Sequence, residues 1–326
     1  MNVGIIGAGK IAKKHINSLQ KFNGVNIAVS DKRSEKARQL AKDLGVSHED
    51  SSASLIESNS VDVVHVCTPV RTHLELIKKA AKKGKHIFCE KPLCESTRHA
   101  YEIKGAVEAN EVVLSVGYLY RFHPAIRELK RIIDEGIIGN VYSANLRLGA
   151  RGSHKEWKHK KDTGGGVINE ISVHKLDLAN WLFGRVRSVD AVKHSLELEK
   201  REIDGKKIDA TANDFLTARI DMEKCSVTLN TDIFTHGFVE FIEVMGTNGS
   251  VFTSILDYMP TTVYLHEAKD KYESGQNKTF YKPVDLFERQ FQRFFGAIKG
   301  ECENLNSVSE SIKTMECIGR FKYYEC

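Results

Sequence analysis

The sequence lacks most of the features that mark fibrous, disulfide-rich or membrane-spanning proteins. It contains only five prolines in 326 residues, and its seven cysteines include no Cys-x-x-Cys pair that would suggest a zinc clip. No stretch approaches the roughly 18 apolar residues of a membrane helix, and the first residues resemble no signal peptide. The net charge of +5 is too small for a nucleic-acid coat. We therefore predict a cytoplasmic protein without a metal ion that binds neither nucleic acid nor membranes.

Hydrophobic residues are plentiful by contrast, and they follow two different patterns along the chain. They make up 41% of the sequence, and 326 residues suffice for two domains. Up to residue 122, short β-branched runs such as Val3–Ile6 and Val61–Cys67 alternate with helical stretches such as Ser34–Leu44. This alternation predicts an α/β domain over 1–122, with the doubly wound parallel sheet of the Rossmann type.

The pattern changes after Pro124. Helical stretches end at Gly136 and Gly184, and from residue 186 to about residue 265 strand-like segments with short turns predominate. Short turns favour antiparallel neighbours, and two helical stretches close the chain. We therefore predict that 123–326 form an α+β domain with a mostly antiparallel, open sheet.

A glycine-rich turn joins the first predicted strand to the first predicted helix. Its sequence is Gly7-Ala8-Gly9-Lys10-Ile11-Ala12. Gly7 permits a tight turn, and Gly9 lets backbone amides approach a pyrophosphate, which then lies at a helix N-terminus. The placement predicts a dinucleotide site that includes Gly7, Gly9, Lys10 and Ile11. The alternative is a glycine turn that serves packing alone.

An acidic residue ends the second predicted strand. Asp31 follows Gly7 by 24 residues, near the spacing of about 20 expected for the acid that binds the adenine ribose. Its carboxylate would accept hydrogen bonds from the ribose hydroxyls and repel a 2′-phosphate, which favours NAD. Lys32 and Arg33 would neutralise such a phosphate if Asp31 turned away, so NADP stays open and Lys32 joins the predicted cofactor contacts.

A lysine follows another predicted strand. Glu90, Lys91 and Pro92 come directly after His86–Cys89, at the edge where open α/β sheets build their sites. Pro92 biases the backbone of Lys91 toward an extended conformation, which aims the two charged side chains. A lysine donates a proton when its pKa is lowered and anchors a hydroxyl when it is not. The same pair is also compatible with a plain exposed ion pair.

A second candidate site lies on a predicted helix over Ile168–Leu182. Glu170, His174 and Asp177 are spaced by four and three residues, which places them on one helical face after a glycine triplet. A histidine beside a carboxylate suits proton transfer near neutral pH. Without further support, such a triad equally fits a hydrogen-bonded core histidine or a surface ion pair.

A basic segment precedes this helix. Cationic residues crowd 151–161, and Trp157 lies among them. If the segment covers the active site, Arg151 and Trp157 are substrate contacts, and an anionic substrate such as a sugar phosphate, uronate or nucleotide sugar is favoured. The alternative is a solvated surface loop.

The chain resembles the Gfo/Idh/MocA oxidoreductase family in a series of motifs that occur in the family's order. These are Gly7–Ala12, Thr68-Pro69 with His73, Glu90-Lys91-Pro92, Arg121-Phe122 with Pro124, and Gly164–Gly166 leading to His174 and Asp177. The resemblance implies NAD(P)-dependent hydride transfer at a hydroxyl or carbonyl carbon of a sugar, cyclitol or related compound. It also implies that Thr68, Pro69 and His73 lie along the cofactor, with Glu90 and Lys91 at its nicotinamide end.

The resemblance further implies roles for single residues. Lys91 would bind the reacting oxygen and share in proton transfer, His174 would be the principal base, and Glu170 would orient it. Tyr120, His174 and Asp177 would face the substrate. The chain departs from the family at Glu170, where aspartate is common; glutamate keeps the acid but reaches one methylene further. The free sheet face implies a homodimer or homotetramer.

Two other functions fit the same fold. One is a cofactor-bound regulator or scaffold without catalysis, against which the presence of Lys91 and His174 argues. The other is an NAD-dependent glycosidase that oxidises its substrate only transiently.

Overall fold

The structure, a computed structural model, describes residues 1–150, 155–163, 165–203 and 205–321. It contains two compact units, Met1–Leu119 with Asp285–Met315, and Tyr120–Val284 with the segment from Glu316. The predicted division at residue 122 followed chain order, whereas the structure returns Asp285–Met315 to the first unit. None of the helices in the described part of the chain has the length and apolar character needed to span a membrane.

The first unit is built on a parallel sheet, as predicted. Its strands are β1 (Asn2–Ile6), β2 (Asn26–Ser30), β3 (Ser47–His48), β4 (Val63–Val66), β5 (His86–Cys89) and β6 (Leu114–Val116). They lie in the order β3-β2-β1-β4-β5-β6, and each neighbouring pair is parallel. The order reverses direction between β1 and β4, and such a reversal opens a crevice at the carboxyl ends of the strands.

Five helices alternate with these strands. They are α1 (Lys10–Leu19), α2 (Ser34–Leu44), α3 (Ser52–Glu57), α4 (His73–Lys82) and α5 (Thr97–Ala109). The sequence analysis did not predict β3 or α3. Both residues of β3 are exposed and α3 has six residues, so neither is long enough to show a hydrophobic period.

The second unit is an α+β structure, also as predicted. Its elements are α6 (Pro124–Asp134), β7 (Val141–Ala150), α7 (Val173–Phe183), β8 (Val186–Ser195), β9 (Lys200–Ile203), β10 (Lys206–Asp209), β11 (Phe215–Met222), β12 (Ser226–Asp232), β13 (Phe238–Gly246), β14 (Gly249–Thr253), β15 (Thr261–Leu265) and β16 (Gly275–Thr279). Eight strands form one sheet in the order β16-β15-β14-β13-β7-β12-β11-β8. The β7–β12 pair is parallel and the other neighbours are antiparallel. Strands β9 and β10 form a separate hairpin.

The two faces of the large sheet differ in burial. On β7, Ala144, Leu146 and Leu148 are buried on one face, and α7 lies on that face. Residues of the opposite face are partly accessible, among them Phe241 and Phe252, whose rings stack at a centroid distance of 5.4 Å. Within this unit, the second face is therefore open.

The last two helices are α8 (Leu286–Ile298) and α9 (Val308–Phe321). Phe291 and Phe294 of α8 are buried in the core of the first unit beside Ile16 and Leu19 of α1. The spacing of the phenylalanines predicts a helix, but it does not show which core the helix joins. Burial of this apolar face accounts for the return of the chain to the first unit.

We predict that the Asp285 carboxylate stabilises α8 in a pH-dependent manner. It accepts hydrogen bonds from the backbone N–H groups of Phe287 and Glu288 at 3.0 and 3.2 Å. Burial acts to raise the pKa of Asp285, but the Lys21 ammonium and these N–H groups outweigh it and hold the pKa below its ordinary value. Asp285→Ala should therefore lower the free energy of unfolding by about 1 kcal/mol at pH 7.

The sign follows from linkage. A carboxylate with a depressed pKa stabilises the fold above its unfolded pKa of about 3.9, and this stabilisation is lost as the pH falls through the folded value. Wild type and Asp285→Ala differ in their free energy of unfolding. This difference, measured by urea unfolding, should shrink as the pH falls from 5 to 3. The control is Asp285→Asn, which keeps the capping oxygen. A difference that is constant over this range would contradict the assignment.

Candidate active site

The glycine-rich turn has the geometry that a phosphate site needs. Gly7 has φ +104°, and a Cβ atom there would lie 2.6 Å from the carbonyl oxygen of Cys67. Gly9 precedes α1 without a side-chain cap, and a Cβ atom there would meet nothing within 4 Å. The first turn of α1 begins with Lys10 and Ile11 and contains no acid. The N–H groups of this turn can therefore receive an anion.

Asp31 lies beside this turn and does not face away from it. Its Oδ2 accepts the N–H of Ala8 at 2.8 Å, and its Oδ1 accepts the N–H of Arg33 at 2.9 Å. Asp31, Gly7, Lys32 and Thr68 line one open cleft. The cleft also includes residues that the sequence analysis did not single out: Asp50, Ser51, Ser52, Arg71, Thr72 and Glu75. Most of these come from short elements without a hydrophobic period.

His73 connects two loops at the carboxyl edge of the sheet. It is 1% exposed, with Nε2 2.9 Å from the Thr68 carbonyl and Nδ1 3.1 and 3.2 Å from the carbonyls of Pro92 and Leu93. Burial lowers the pKa of His73, although these carbonyls act against it. The geometry suits a residue that positions Thr68, Pro69 and Pro92; direct contact between His73 and a cofactor stays a prediction.

Glu90 and Lys91 follow β5 at the same edge. Oε1 of Glu90 lies 2.9 Å from Nε2 of His15, and Oε2 accepts the N–H of Lys91 at 3.3 Å. Burial acts to raise the pKa of Glu90, but His15 and the Lys91 charge hold it below its ordinary value. A Cβ atom at Gly117 would lie 3.2 Å from Oε1, so glycine leaves room for the carboxylate. The sequence analysis did not identify His15 or Gly117.

In the second unit, a π-helical turn over Ile168–Ser172 precedes α7. The sequence analysis predicted a regular helix here. π-Helical turns are rare and occur frequently at functional sites. Hydrogen bonds and charge fix α7 on the sheet: Ser172 Oγ lies 2.6 Å from Thr231 Oγ1, and the fully buried Lys175 forms an ion pair with Glu240.

Two of the predicted residues of this unit lie together. The rings of His174 and Tyr120 have their centroids 4.8 Å apart. Burial raises the pKa of Tyr120 well above its ordinary value, and the Glu240 charge adds to this effect, so the phenol keeps its proton. Glu170 forms an ion pair with Lys158, whose ammonium lies 5.4 Å from the centroid of the Trp157 ring.

Asp177 is held by a buried arginine. It is 1% exposed, and its two oxygens lie 2.9 Å from Nε and 2.7 Å from Nη2 of Arg121. A carboxylate in this arrangement suits the positioning of α7. Direct contact of Asp177 with a substrate stays a prediction.

Two lysines of the basic segment have partners within the second unit. Lys158 pairs with Glu170, and Lys160 Nζ donates to the Asp209 carbonyl at 2.5 Å. The hairpin of β9 and β10 lies against the segment, since Lys206 pairs with Glu156 at 2.9 Å. Of these contacts, the pair with Glu170 neutralises one cation of the segment, Lys158. Arg151, His154 and Gly164 lie outside the described residues.

Comparison with known proteins identifies two family models along the chain. Residues 1–118 match the model described as "Oxidoreductase family, NAD-binding Rossmann fold", and residues 126–252 match "GFO/IDH/MocA C-terminal domain". Together the two matches cover most of both predicted domains.

Similar proteins include curated dehydrogenases and solved structures. The chain is 30% identical to "Uncharacterized oxidoreductase YrbE" of Bacillus subtilis (strain 168), over 90% of this chain and 85% of that protein. It is 29% identical to "Myo-inositol 2-dehydrogenase" of Thermotoga maritima, over 94% and 89% of the two chains. The solved structure "Levoglucosan dehydrogenase, complex with NADH" has a TM-score of 0.88 at 23% identity and covers 99% of this chain and 96% of that one. That structure therefore has the same fold.

A double-mutant cycle tests the role of Asp177. Arg121→Met leaves a buried carboxylate without its cation and should lower the free energy of unfolding by about 3–5 kcal/mol. Asp177→Leu should have an effect of similar size, because it leaves the guanidinium buried. The double variant should recover most of the loss in urea unfolding. Additive losses in the double variant would show that the two side chains do not act as a pair.

Proposed function

The chain belongs to the Gfo/Idh/MocA family of oxidoreductases, and on that premise we propose that it transfers a hydride between a nicotinamide dinucleotide and a hydroxyl or carbonyl carbon of a sugar or cyclitol. The observation that carries the proposal is the cleft that joins Gly7, Asp31 and Thr68 at the carboxyl edge of a parallel sheet. Inositol and levoglucosan dehydrogenases among the similar proteins support this substrate class.

The residues of the cleft fit NAD. Because Gly9 has no Cβ atom and nothing lies within 4 Å of where one would be, a pyrophosphate has room to approach the backbone there. The N-terminus of α1, which has no side-chain cap, would hold it. Asp31 would bind the adenine ribose. The other proposed cofactor contacts are Lys10 and Ile11 in the first turn of α1, Lys32 and Thr68 along the cleft, and Pro69 directly after Thr68. When bound, the nicotinamide supplies the site that accepts or donates the hydride.

In the first unit, Lys91 is the proposed catalytic residue. Its Nζ would bind the reacting oxygen and share in moving the hydroxyl proton. Glu90, held by His15, lies directly before Lys91, and the charge of Lys91 helps to hold the pKa of Glu90 below its ordinary value. We propose His73 as the residue that keeps Thr68 and Pro92 in place.

In the second unit, His174 is the proposed principal base, with Tyr120 and His174 as substrate contacts. The Tyr120 phenol keeps its proton, so it can donate a hydrogen bond to a substrate oxygen. The ion pair of Glu170 with Lys158 supports a role for Glu170 in ordering the segment around Trp157, a further proposed substrate contact. Lys158 gives no support for an anionic substrate because it is paired with Glu170, and the similar inositol and levoglucosan dehydrogenases support a neutral polyol.

The open sheet face supports assembly into a homodimer or homotetramer. Phe241 and Phe252 stack there, and Tyr264 is 55% exposed. A second copy of the chain would cover these rings; a monomeric mass in sedimentation at micromolar concentration would contradict the assembly. We also propose a cytoplasmic location, since the six cysteines in the described residues have free thiols.

The decisive experiment is a turnover screen with purified protein. We expect NAD reduction, followed by NADH absorbance, with myo-inositol, scyllo-inositol or levoglucosan. Lys91→Ala should lower kcat by about 10²- to 10⁴-fold and leave the Kd for NADH within about twofold. The matched control is Lys78→Ala, a surface lysine on α4 that pairs with Glu102.

Three outcomes would contradict this proposal. Unchanged turnover in Lys91→Ala would remove that lysine from the mechanism. Release of the alcohol from an aryl glycoside without net NADH would identify a glycosidase, and binding of NADH with no turnover in the screen would favour a regulator.

Cofactor preference tests the position of Asp31. Asp31→Ser removes the charge that would repel a 2′-phosphate and leaves Lys32 and Arg71 in the cleft. We expect the ratio of kcat/KM for NADPH to that for NADH to rise about tenfold. Asp43→Ser, a change on the exposed surface of α2, is the control. An unchanged ratio would mean that Asp31 does not face the ribose.

A further inference from the structure

Two buried histidines form a chain that ends at Glu90. His15 on α1 and His65 on β4 are both 0% exposed. Their Nδ1 atoms lie 3.1 Å apart, and Nε2 of His15 lies 2.9 Å from Oε1 of Glu90. The mechanism proposed above gives no role to His65 and uses His15 only as the partner of Glu90.

His65, at the end of this hydrogen-bonded chain away from Glu90, is enclosed by aromatic rings. The ring of His65 lies with its centroid 5.0 Å from those of Phe88 and Phe291 and 6.3 Å from that of Phe294. Its Nε2 is buried and has no hydrogen-bond partner among the residues that the structure describes. Burial lowers the pKa of His65 well below its ordinary value, so the ring is neutral.

The negative charge of Glu90 determines which ring nitrogens of His15 and His65 carry protons. The charge of Lys91 and the hydrogen bond to His15 hold Glu90 in its ionised form against the effect of burial. An ionised carboxylate only accepts, so Nε2 of His15 must donate to it. If the His15 ring carries one proton, its Nδ1 is then an acceptor and Nδ1 of His65 must be the donor; if it carried two, His65 would have to accept at Nδ1 and would leave its unpartnered Nε2 as a buried N–H.

The surroundings agree with this assignment. Nε2 of His65 is left as a buried lone pair, whereas the reverse arrangement would leave a buried N–H, and orphaned N–H groups are the rarer case. Cys67 Sγ lies 3.4 Å from Nδ1 of His15, and burial raises the pKa of this thiol, so its S–H adds a weak donor. Helix α8 contributes phenyl rings to this cluster, Phe287, Phe291 and Phe294.

We propose that His15 and His65 are positioning residues for Glu90: His65 holds His15 in the tautomer that donates Nε2–H to the carboxylate. The donor in turn holds the ionised carboxylate in one orientation directly before Lys91. The catalytic consequence rests on the proposed function, but the tautomer assignment does not.

Nitrogen NMR of the full-length protein labelled with ¹⁵N-histidine tests the assignment without turnover. We expect His15 as the Nε2–H tautomer and His65 as the Nδ1–H tautomer, with and without NADH. The signals are assigned by their loss in His15→Gln and His65→Asn. The opposite tautomer at either residue, or an imidazolium signal at His15 or His65 at pH 7, would overturn the proposal.

Three variants test the effect on Glu90. His65→Leu removes the donor and leaves only the weak thiol; we expect the His15 signal to become a mixture of tautomers and kcat to fall about tenfold. In His65→Asn, Nδ2 is attached to Cγ as Nδ1 is in histidine, so the asparagine can donate to His15 from a similar position. The single His15 tautomer and the wild-type kcat should therefore be restored. Phe294→Leu, which disturbs packing beside the same ring, should lower stability and leave the His15 tautomer unchanged.

The outcomes separate this inference from the proposed function. If no polyol is turned over, the proposed function fails, and the NMR result still decides the tautomer assignment. If polyols are turned over and His65→Leu matches Phe294→Leu in kcat and in the His15 signal, the positioning role is overturned.

Discussion

The first unit depends on one backbone constraint, the tight turn from β1 into α1. Gly7 makes it in a conformation that other residues avoid, under a carbonyl that leaves no room for a side chain. Asp31 then uses its carboxylate to hold the Ala8 N–H. These contacts fix the turn and place Asp31 and Gly7 on the same cleft, and on this the proposed role of Asp31 at the ribose depends.

The second unit fixes the helix that carries its candidate site, α7, by different means. Three features hold α7: the buried Arg121–Asp177 pair, the buried Lys175–Glu240 pair, and the hydroxyl contact of Ser172. Desolvation makes buried pairs a poor source of net stability, but each allows one placement of the helix. The π-helical turn at its start and the contact between His174 and Tyr120 follow from that placement.

Prediction from sequence worked best where the signal was periodic. The alternation before residue 122 predicted the parallel sheet, and the turn-rich region after Val186 predicted the mostly antiparallel one. It missed β3, α3 and the β9–β10 hairpin, which are short and mostly exposed. Charge patterns were less informative, because the sequence displays lysines such as Lys158 without the acids that pair with them in the fold.

The sequence by itself determined the strand–helix alternation, the glycine turn with its acid, and the lysine and histidine of the two candidate sites, because these depend on local spacing. Only the tertiary structure decided that Asp285–Met315 returns to the first unit, that Asp177 faces an arginine, and that His15 and His65 stand behind Glu90. Such contacts join residues far apart in the chain. Burial and hydrogen bonding in the folded chain select them, and no local pattern in the sequence records either one.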